Sequence, residues 1–581
     1  MTPPLPDRTE EAASERRPFV LILVAALFAV HPLIVHGCSC GHDFDFHLVN
    51  WMEVASQFSH GHLYPHWAFS PAYNAGEPRF VFYPPLSWVL GALLGLLLTH
   101  LPGVRAVAGW SATPVLFTWI ALSLSGVTMY RLARGFAGAN AALLAAVFYL
   151  VNPYMLFTAF ERTAYAELLA AAWMPLLLLA ILRDEVTVPR IALPVALLWL
   201  TNAPAAVMGS YALALLATVR VVAMLRTHDA AGRQSALSIA LKTAGGTALG
   251  LALAAFYVVP AAYERRFVQI SMAMIEGMRI DHNFLFEHTG TSDDALLHDQ
   301  VLHTVSWIAV GLLAATAVAL AVLLRRRASR RDPAPAQTFR ILPLTILATG
   351  IAVLLTPLSL PVWNHTPEAD FLQFPWRLLA VLSPLLALAV AAALGRFPRK
   401  YTTAVAFVLA VVFVIPAYHV FRQPCDPEDT ATARYAAFQS HAGTDPTDEY
   451  TPAVADNEAL KPNDPPYWLA ADPSGAAPSG ATASAPADFS VTAAQPAFLI
   501  LNLRDYPAWH VFLNGHVDPD REQRDDGLIA LAVPAGTSTV DLRYVRTADQ
   551  TLGDTISLLA LLILLLTLIA SRKRAPLQRR R

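Results

Sequence analysis

The stretch HTVSWIAVGLLAATAVALAVLLRRR, residues 303–327, decides what kind of protein this is. From His303 to Leu324 there is no Asp, Glu, Lys or Arg, and three arginines follow at once. A run of this length crosses the roughly 30 Å hydrocarbon core of a bilayer as a helix, rising about 1.5 Å per residue. The arginines mark the end that stays in the cytoplasm. Comparable runs lie near 18–36, 83–99, 110–133, 138–157, 165–183, 188–203, 207–226, 239–262, 340–358, 376–395, 401–419 and 553–571. With 55% hydrophobic and 14% charged residues in 581, lipid is the solvent for most of the chain. The net charge of −2 and the lack of basic runs interleaved with aromatics exclude a nucleic-acid surface.

Charge sets the orientation. Arg325 to Arg327 with Arg330 and Arg331, Arg396 with Arg399 and Lys400, and the tail from Arg572 to Arg581 all belong inside. Alternation from these clusters puts 263–302, 359–375 and 420–552 outside. It also leaves one run too many between residues 37 and 110 if Arg16 and Arg17 are inside. The run 83–99 is the odd one, because it is short and opens on Tyr83-Pro84-Pro85, so a re-entrant or interfacial helix in the outer loop is expected.

The expectation is a mostly α, polytopic protein with about twelve transmembrane helices and both termini cytoplasmic. Residues 1–17 form the cytoplasmic N-terminus, and 18–420 a transmembrane domain with a long first outer loop, 37–109. Residues 421–490 are an extracytoplasmic linker, rich in Pro, Ala, Ser and Asp. A small β-sandwich follows at 491–552, read from alternating runs at Phe498–Leu503, His510–Leu513, Leu528–Val533 and Thr539–Val545 with an Asn514-Gly515 turn. The last helix is 553–571, before the basic tail 572–581. The first run, Pro18 to Val35, reads as a retained signal anchor. Three cysteines allow one long-range bridge, from Cys38 or Cys40 to Cys425, or three free thiols.

Chemistry concentrates at outer-loop mouths. Gly41-His42-Asp43-Phe44-Asp45-Phe46-His47 opens the first loop, and a carboxylate pair there can bind a divalent cation or act as general base toward a hydroxyl. A bare Asp-x-Asp more often simply solvates a loop. Its company of His, Trp, Tyr and Pro, in His62-Leu63-Tyr64-Pro65-His66-Trp67 and Gly76-Glu77-Pro78-Arg79, marks a structured interfacial loop. Five histidines between 42 and 66 permit zinc, but none shows a helical ligand spacing joined to a carboxylate. At the second mouth, Arg162 and Glu167 either snorkel or face a polar cavity. If Glu167 meets Asp43 and Asp45, a Mg or Mn ion is the simplest way to hold three ionised carboxylates. At the third, Gln373-Phe374-Pro375-Trp376-Arg377 puts a guanidinium at the outer end of a span, against the positive-inside bias, where it could clamp a phosphate.

The order Asp-x-Asp, Tyr-Pro-Pro and Arg162-Thr163 with Glu167 resembles the GT-C glycosyltransferase superfamily, bacterial oligosaccharyltransferases in particular. Leu63-Tyr64-Pro65-His66-Trp67, Phe82-Tyr83-Pro84-Pro85-Leu86, Gln373 to Arg377 and Tyr506-Pro507-Ala508-Trp509 also look like a bacterial family described as 6-pyruvoyl-tetrahydropterin synthase-related membrane proteins, related to YfhO-type proteins. The resemblance implies a bacterial inner-membrane enzyme that moves a sugar from a polyprenyl-linked donor to an outer glycan or lipid acceptor. Asp43, Asp45 and Glu167 would be catalytic, and Arg162, Gln373, Arg377, Tyr83 and His66 would bind substrate. A Trp-Trp-Asp peptide-binding motif is missing, so protein glycosylation does not follow. A flippase for lipid-linked glycans, or a non-catalytic envelope-assembly protein, would share the spans and the arginine without needing a base at Asp43.

Overall fold

The computed structural model describes residues 8–578 except 228, 276, 329–334, 479 and 518. Residues 1–7, Arg330, Arg331 and the last three residues of the basic tail lie outside the described residues. The chain enters as α1 (Arg8–His36), followed by α2 (Phe44–Ser59), α3 (Arg79–Phe82), α4 (Pro85–Thr99) and α5 (Ala106–Arg134). Helices α1 and α5 are antiparallel. Phe19 packs edge-on against Tyr130 at 5.7 Å, while the Cys38 thiol reaches the Ser111 carbonyl at 3.5 Å. Residues 37–105 therefore begin and end on one side, and α4 does not make a single crossing. Its 15 residues lie against α2 and α5, where Gly91 and Gly95 leave room for the rings of Trp51 and Trp110; a Cβ at either would collide with an indole.

Next come α6 (Ala139–Val151) with α7 (Pro153–Phe160), and α8 (Tyr165–Ala170) with α9 (Met174–Leu182). These are the most buried spans. The α6–α7 join sits at Asn152-Pro153: proline cannot donate to the helix ladder, and the Asn152 side chain accepts from the N–H groups of Tyr154 and Met155 instead. Helices α10 (Val188–Trp199), α11 (Ala203–Leu225), α12 (Ala230–Leu253) and α13 (Ala255–Glu264) lead to α14 (Asp293–Ala328), α15 (Pro335–Leu354), α16 (Leu360–His365), α17 (Leu379–Leu394) and α18 (Arg399–Phe421). After α19 (Ala431–Gln439) and the β-strands, α20 (Ala548–Gln578) returns.

Among the described residues ten helices are long and apolar enough to cross a membrane, eleven if Ile341–Leu354 and Pro357–His365 count as one bent span. This multi-pass architecture matches the expected fold class, with three local differences. The expected span 188–203 is a helix of only 12 residues, because Leu200 to Asn202 leave the helix before the Asn202 side chain caps α11. The expected span 340–358 is bent by 98° at the break ahead of Pro357, whose missing N–H ends the helix. The expected span 239–262 is broken at Ala254, between α12 and α13.

The strands form two antiparallel four-stranded sheets. One runs β1 (Tyr467–Ala470), β3 (Ala497–Arg504), β7 (Leu528–Val533), β6 (Arg521–Glu522); the other runs β2 (Asp488–Ala493), β8 (Gly536–Tyr544), β4 (Trp509–Leu513), β5 (His516–Val517). All four expected strands are present, and Asn514 and Gly515 take the positive φ angles of a tight hairpin. The sandwich begins earlier than residue 491, however. Strands β1 and β2 start inside the expected linker 421–490, which is also pinned down by hydrogen bonds from Thr482 and Ser484 to the Tyr73 and Asn74 carbonyls. Pro, Ser and Ala richness reads as flexible only while no partner surface is known.

The sandwich is fused to the membrane half. Trp67 of the first loop enters its core beside Tyr506 and Trp509, and the Tyr506 hydroxyl donates to buried Glu264 at the end of α13, which Gln550 of α20 also contacts. Burial pushes the Glu264 carboxyl up to about 7, against the hydrogen bonds from Tyr506 and Gln550. A Cys40–Cys425 disulfide ties the first loop to the segment after α18 and leaves Cys38 free, which settles which cysteines pair.

Candidate active site

Residues 39–43 lie against the 160–162 backbone. The Ser39 hydroxyl donates to the Phe160 carbonyl, and the N–H groups of His42 and Asp43 donate to the Glu161 and Arg162 carbonyls at 3.3 and 3.0 Å. The approach is so close that a Cβ at Gly41 would strike the Glu161 carbonyl. Asp43 then stands at the N-cap position of α2 without making a side-chain cap bond. Its carboxylate lines a cavity of about 570 Å³ between the first loop, α8, α11, α13 and the 368–377 segment.

Opposite it is a buried charge cluster. Arg162 donates to Glu167 at 2.6 Å and lies 4.9 Å from the Trp376 ring centre. Arg377 lies 4.8 Å over Phe374, which stacks on Trp376, and its Nε is 3.7 Å from the same Glu167 oxygen. Tyr154 donates to the other Glu167 oxygen at 2.5 Å. Burial works against the Arg162 charge, but Glu167 beside it outweighs this and the guanidinium holds its proton more tightly than usual. Arg377 also donates to the Leu372 carbonyl and to the side-chain oxygen of Gln373, whose NH₂ is fixed on the Ala273 carbonyl at 2.6 Å. Two non-glycine residues that hold these arginines, Thr163 and Gln373, adopt left-handed φ angles of 47° and 60°. Such backbone strain persists where surrounding contacts over-determine it, as a preorganised site requires.

His47, one turn along α2 from Asp43, is fully buried on the cavity wall; burial pushes it down to about 4 against the upward pull of Asp43, so it is neutral. The Tyr83 hydroxyl stands 3.5 Å from its Nε2, and burial pushes that phenol up. The cavity thus brings together Asp43, Arg162, Glu167, Tyr83, Gln373 and Arg377.

Two expected members are elsewhere. Asp45 turns toward Arg434 of α19 at 3.4 Å and does not line the cavity. The reason is periodicity: Asp-x-Asp sits on the first turn of a helix, where residues two apart point about 200° from one another. His66 lies on the sandwich side, stacked 6.0 Å from Tyr544, and burial pushes it down to about 4. The expected three-carboxylate convergence is therefore not formed. Among the described residues no three His, Cys, Asp or Glu side chains gather as a metal site, and arginines occupy the neighbourhood of Glu167 that a cation would need. These residues do not fit the divalent ion, and no chemical step is routed through one.

Other cavity residues were not evident from sequence. His47 is one; Glu449 and Tyr450 are two more, brought in by the segment after α19. Burial raises the Glu449 carboxyl. That segment is held by Glu77, which accepts from the Thr447 N–H at 2.6 Å, and by Arg79, which bridges Glu77, Asn50 and Thr447. The Gly76-Glu77-Pro78-Arg79 motif is thus the strut of the cavity wall.

No family model matches the chain, and no curated protein matches it. Solved structures to which it is similar include a mycobacterial arabinofuranosyltransferase, AftD, at 19% identity and a TM-score of 0.40, covering 70% of this chain and 26% of that one. The Archaeoglobus fulgidus oligosaccharyltransferase in its apo form is similar at 17% identity and a TM-score of 0.41, covering 72% and 56%. The same archaeal enzyme, with an inhibitory peptide and dolichol-phosphate, is similar at 15% identity and 0.37, covering 72% and 56%. The chain spans about a quarter of the first protein and little more than half of the second. At these scores the likeness carries no conclusion about activity.

Proposed function

We propose that this protein is a membrane glycosyltransferase of the GT-C type, which transfers a sugar from a polyprenyl-phosphate-linked donor to a lipid or polysaccharide acceptor on the sandwich side of the membrane. One observation carries the reading: a carboxylate with no cap bond, Asp43, faces a cavity that is also lined by two arginines sharing one buried glutamate. The Cys40–Cys425 bridge supports an oxidising, extracytoplasmic side for that cavity, with the basic clusters and both termini in the cytoplasm of a bacterial cell.

The acceptor hydroxyl attacks the anomeric carbon while its proton passes to Asp43. The bond from that carbon to the phosphate oxygen breaks, and the electron pair leaves with polyprenyl phosphate. Arg377, whose Nε has no hydrogen-bond partner, and Arg162 face the developing phosphate charge and stabilise it as fixed donors that need no reorganisation. Glu167, whose oxygens are committed to Tyr154 and the arginines, positions that clamp rather than moving a proton. Neutral His47 and Tyr83 line the acceptor's approach to Asp43.

The test is donor-dependent labelling of a membrane lipid or glycan fraction by wild-type protein and by Asp43→Asn. Loss of labelling with retained donor binding is expected. A flippase would keep moving lipid-linked glycan with asparagine at 43, and that result would overturn the assignment.

A further inference from the structure

A second cavity of about 1100 Å³ lies outside the site described above, in the membrane-facing seam between α1 and α5. Its walls are apolar: Leu27, Val30 and Leu33 from α1 face Val115, Leu116 and Trp119 from α5. Its mouth, at the sandwich side, is different. Arg105 stands at the N-cap of α5 and Arg422 follows the end of α18, and both line the cavity. So do the first turns of α5 and of the nine-residue α19, although the Ala433 N–H is capped by the Thr430 hydroxyl and the Ala108 and Gly109 N–H groups donate to the Arg105 carbonyl.

This mouth carries two guanidinium groups. Among the described residues no carboxylate lines the cavity. The Arg105 carbonyl accepts from the N–H groups of Ala108 and Gly109, but among the described residues its guanidinium makes no hydrogen bond or ion pair. Arg422 gives one N–H to the His36 carbonyl at 3.0 Å and lies 5.7 Å over Tyr418, while its buried Nε has no partner. Arginines at this end of spans run against the positive-inside bias, so charge placement alone does not explain them.

We propose that the groove holds one anionic glycerophospholipid from the leaflet on the sandwich side, with its phosphate between Arg105 and Arg422 and an acyl chain along the α1–α5 seam. Depth supports this occupant. The α5 wall runs from Val107 to Trp119, about 18 Å at 1.5 Å per residue, close to half of a roughly 30 Å hydrocarbon core. That is one leaflet, the reach of an acyl chain; a long polyprenyl chain would run far past it. The cavity wall includes His36, Gly37 and Cys38, so a bound lipid would brace the segment that leads to Asp43.

The test uses full-length protein in detergent, stripped of lipid and then mixed with phosphatidylglycerol, phosphatidylcholine or undecaprenyl phosphate. Bound lipid is counted by native mass spectrometry. Wild type should retain phosphatidylglycerol at least tenfold over phosphatidylcholine, and Arg105→Gln with Arg422→Gln should abolish the preference. Ala112→Trp, which fills the groove and leaves both arginines, should expel the lipid; it keeps the test decisive if the double variant does not fold. Equal retention of the two phospholipids by wild type, an unchanged preference in both variants, or a retention of undecaprenyl phosphate that is stronger than that of phosphatidylglycerol and is lost in both groove variants would overturn the proposal.

Discussion

Two arginine pairs stand at the same end of the membrane helices, and they are built in opposite ways. Arg162 is buried and Arg377 is 12% exposed at its side chain; they ride on Trp376 and Phe374 and share Glu167. Arg105 and Arg422 sit at the mouth of an open groove that, among the described residues, no carboxylate lines. A charge taken out of water needs a partner built into the fold, because its desolvation cost is several kcal/mol. A charge at the headgroup surface needs none, and can wait for an anion from the lipid. In the proposed reading the Glu167-bound pair is a preorganised clamp and the groove pair a receptor.

The largest effect should follow from breaking the buried cluster. Arg162→Leu removes the nearest ionic partner of buried Glu167, leaving it Arg377 at 3.7 Å and the Tyr154 hydroxyl, and should lower stability by about 3–5 kcal/mol, measured by thermal unfolding in a fixed detergent. Arg105→Gln should change the same melting curve by no more than about 0.5 kcal/mol in the absence of added lipid. Equal losses for the two would erase the distinction between clamp and receptor.

Asp43→Asn sharpens the contrast from the other side. It removes the proposed base without touching either arginine pair, so transfer should fall by about 10²–10⁴ with stability nearly unchanged, read from labelling rate and melting temperature together. Gly41→Ala comes next: its methyl must displace the 161 backbone, which should cost about 1–3 kcal/mol and lower transfer by shifting Asp43. The smallest effect is expected for Asp45→Asn. Its pairing with Arg434 is half exposed, so stability should move by less than about 1 kcal/mol and labelling should stay near wild type. A collapse of transfer in Asp45→Asn would return that carboxylate to the cavity.

Much of the fold was legible because lipid imposes a length on every span and the basic clusters impose a direction. The sandwich strands could be read from period-two alternation and the Asn514-Gly515 turn. Asp43, Arg162 and Arg377 were legible as ionisable residues at helix mouths. Asp45 and His66 were not separable from them by type or spacing. A loop and the first turn of a helix look alike in seven residues, yet the helix sends Asp45 away from Asp43, and the fold carries His66 to Tyr544.

The sequence by itself determined that this chain crosses the membrane many times, that a β-rich cap precedes its last helix, and which ionisable residues sit at the span ends. These are local properties, set by run length, periodicity and charge. The tertiary structure alone decided that Cys40 pairs with Cys425, that Glu449 and Tyr450 reach a cavity four hundred residues from Asp43, and that the supposed linker is strapped to the first loop. Each joins segments far apart along the chain, and such pairings depend on how helices pack against one another. No window of sequence contains that information.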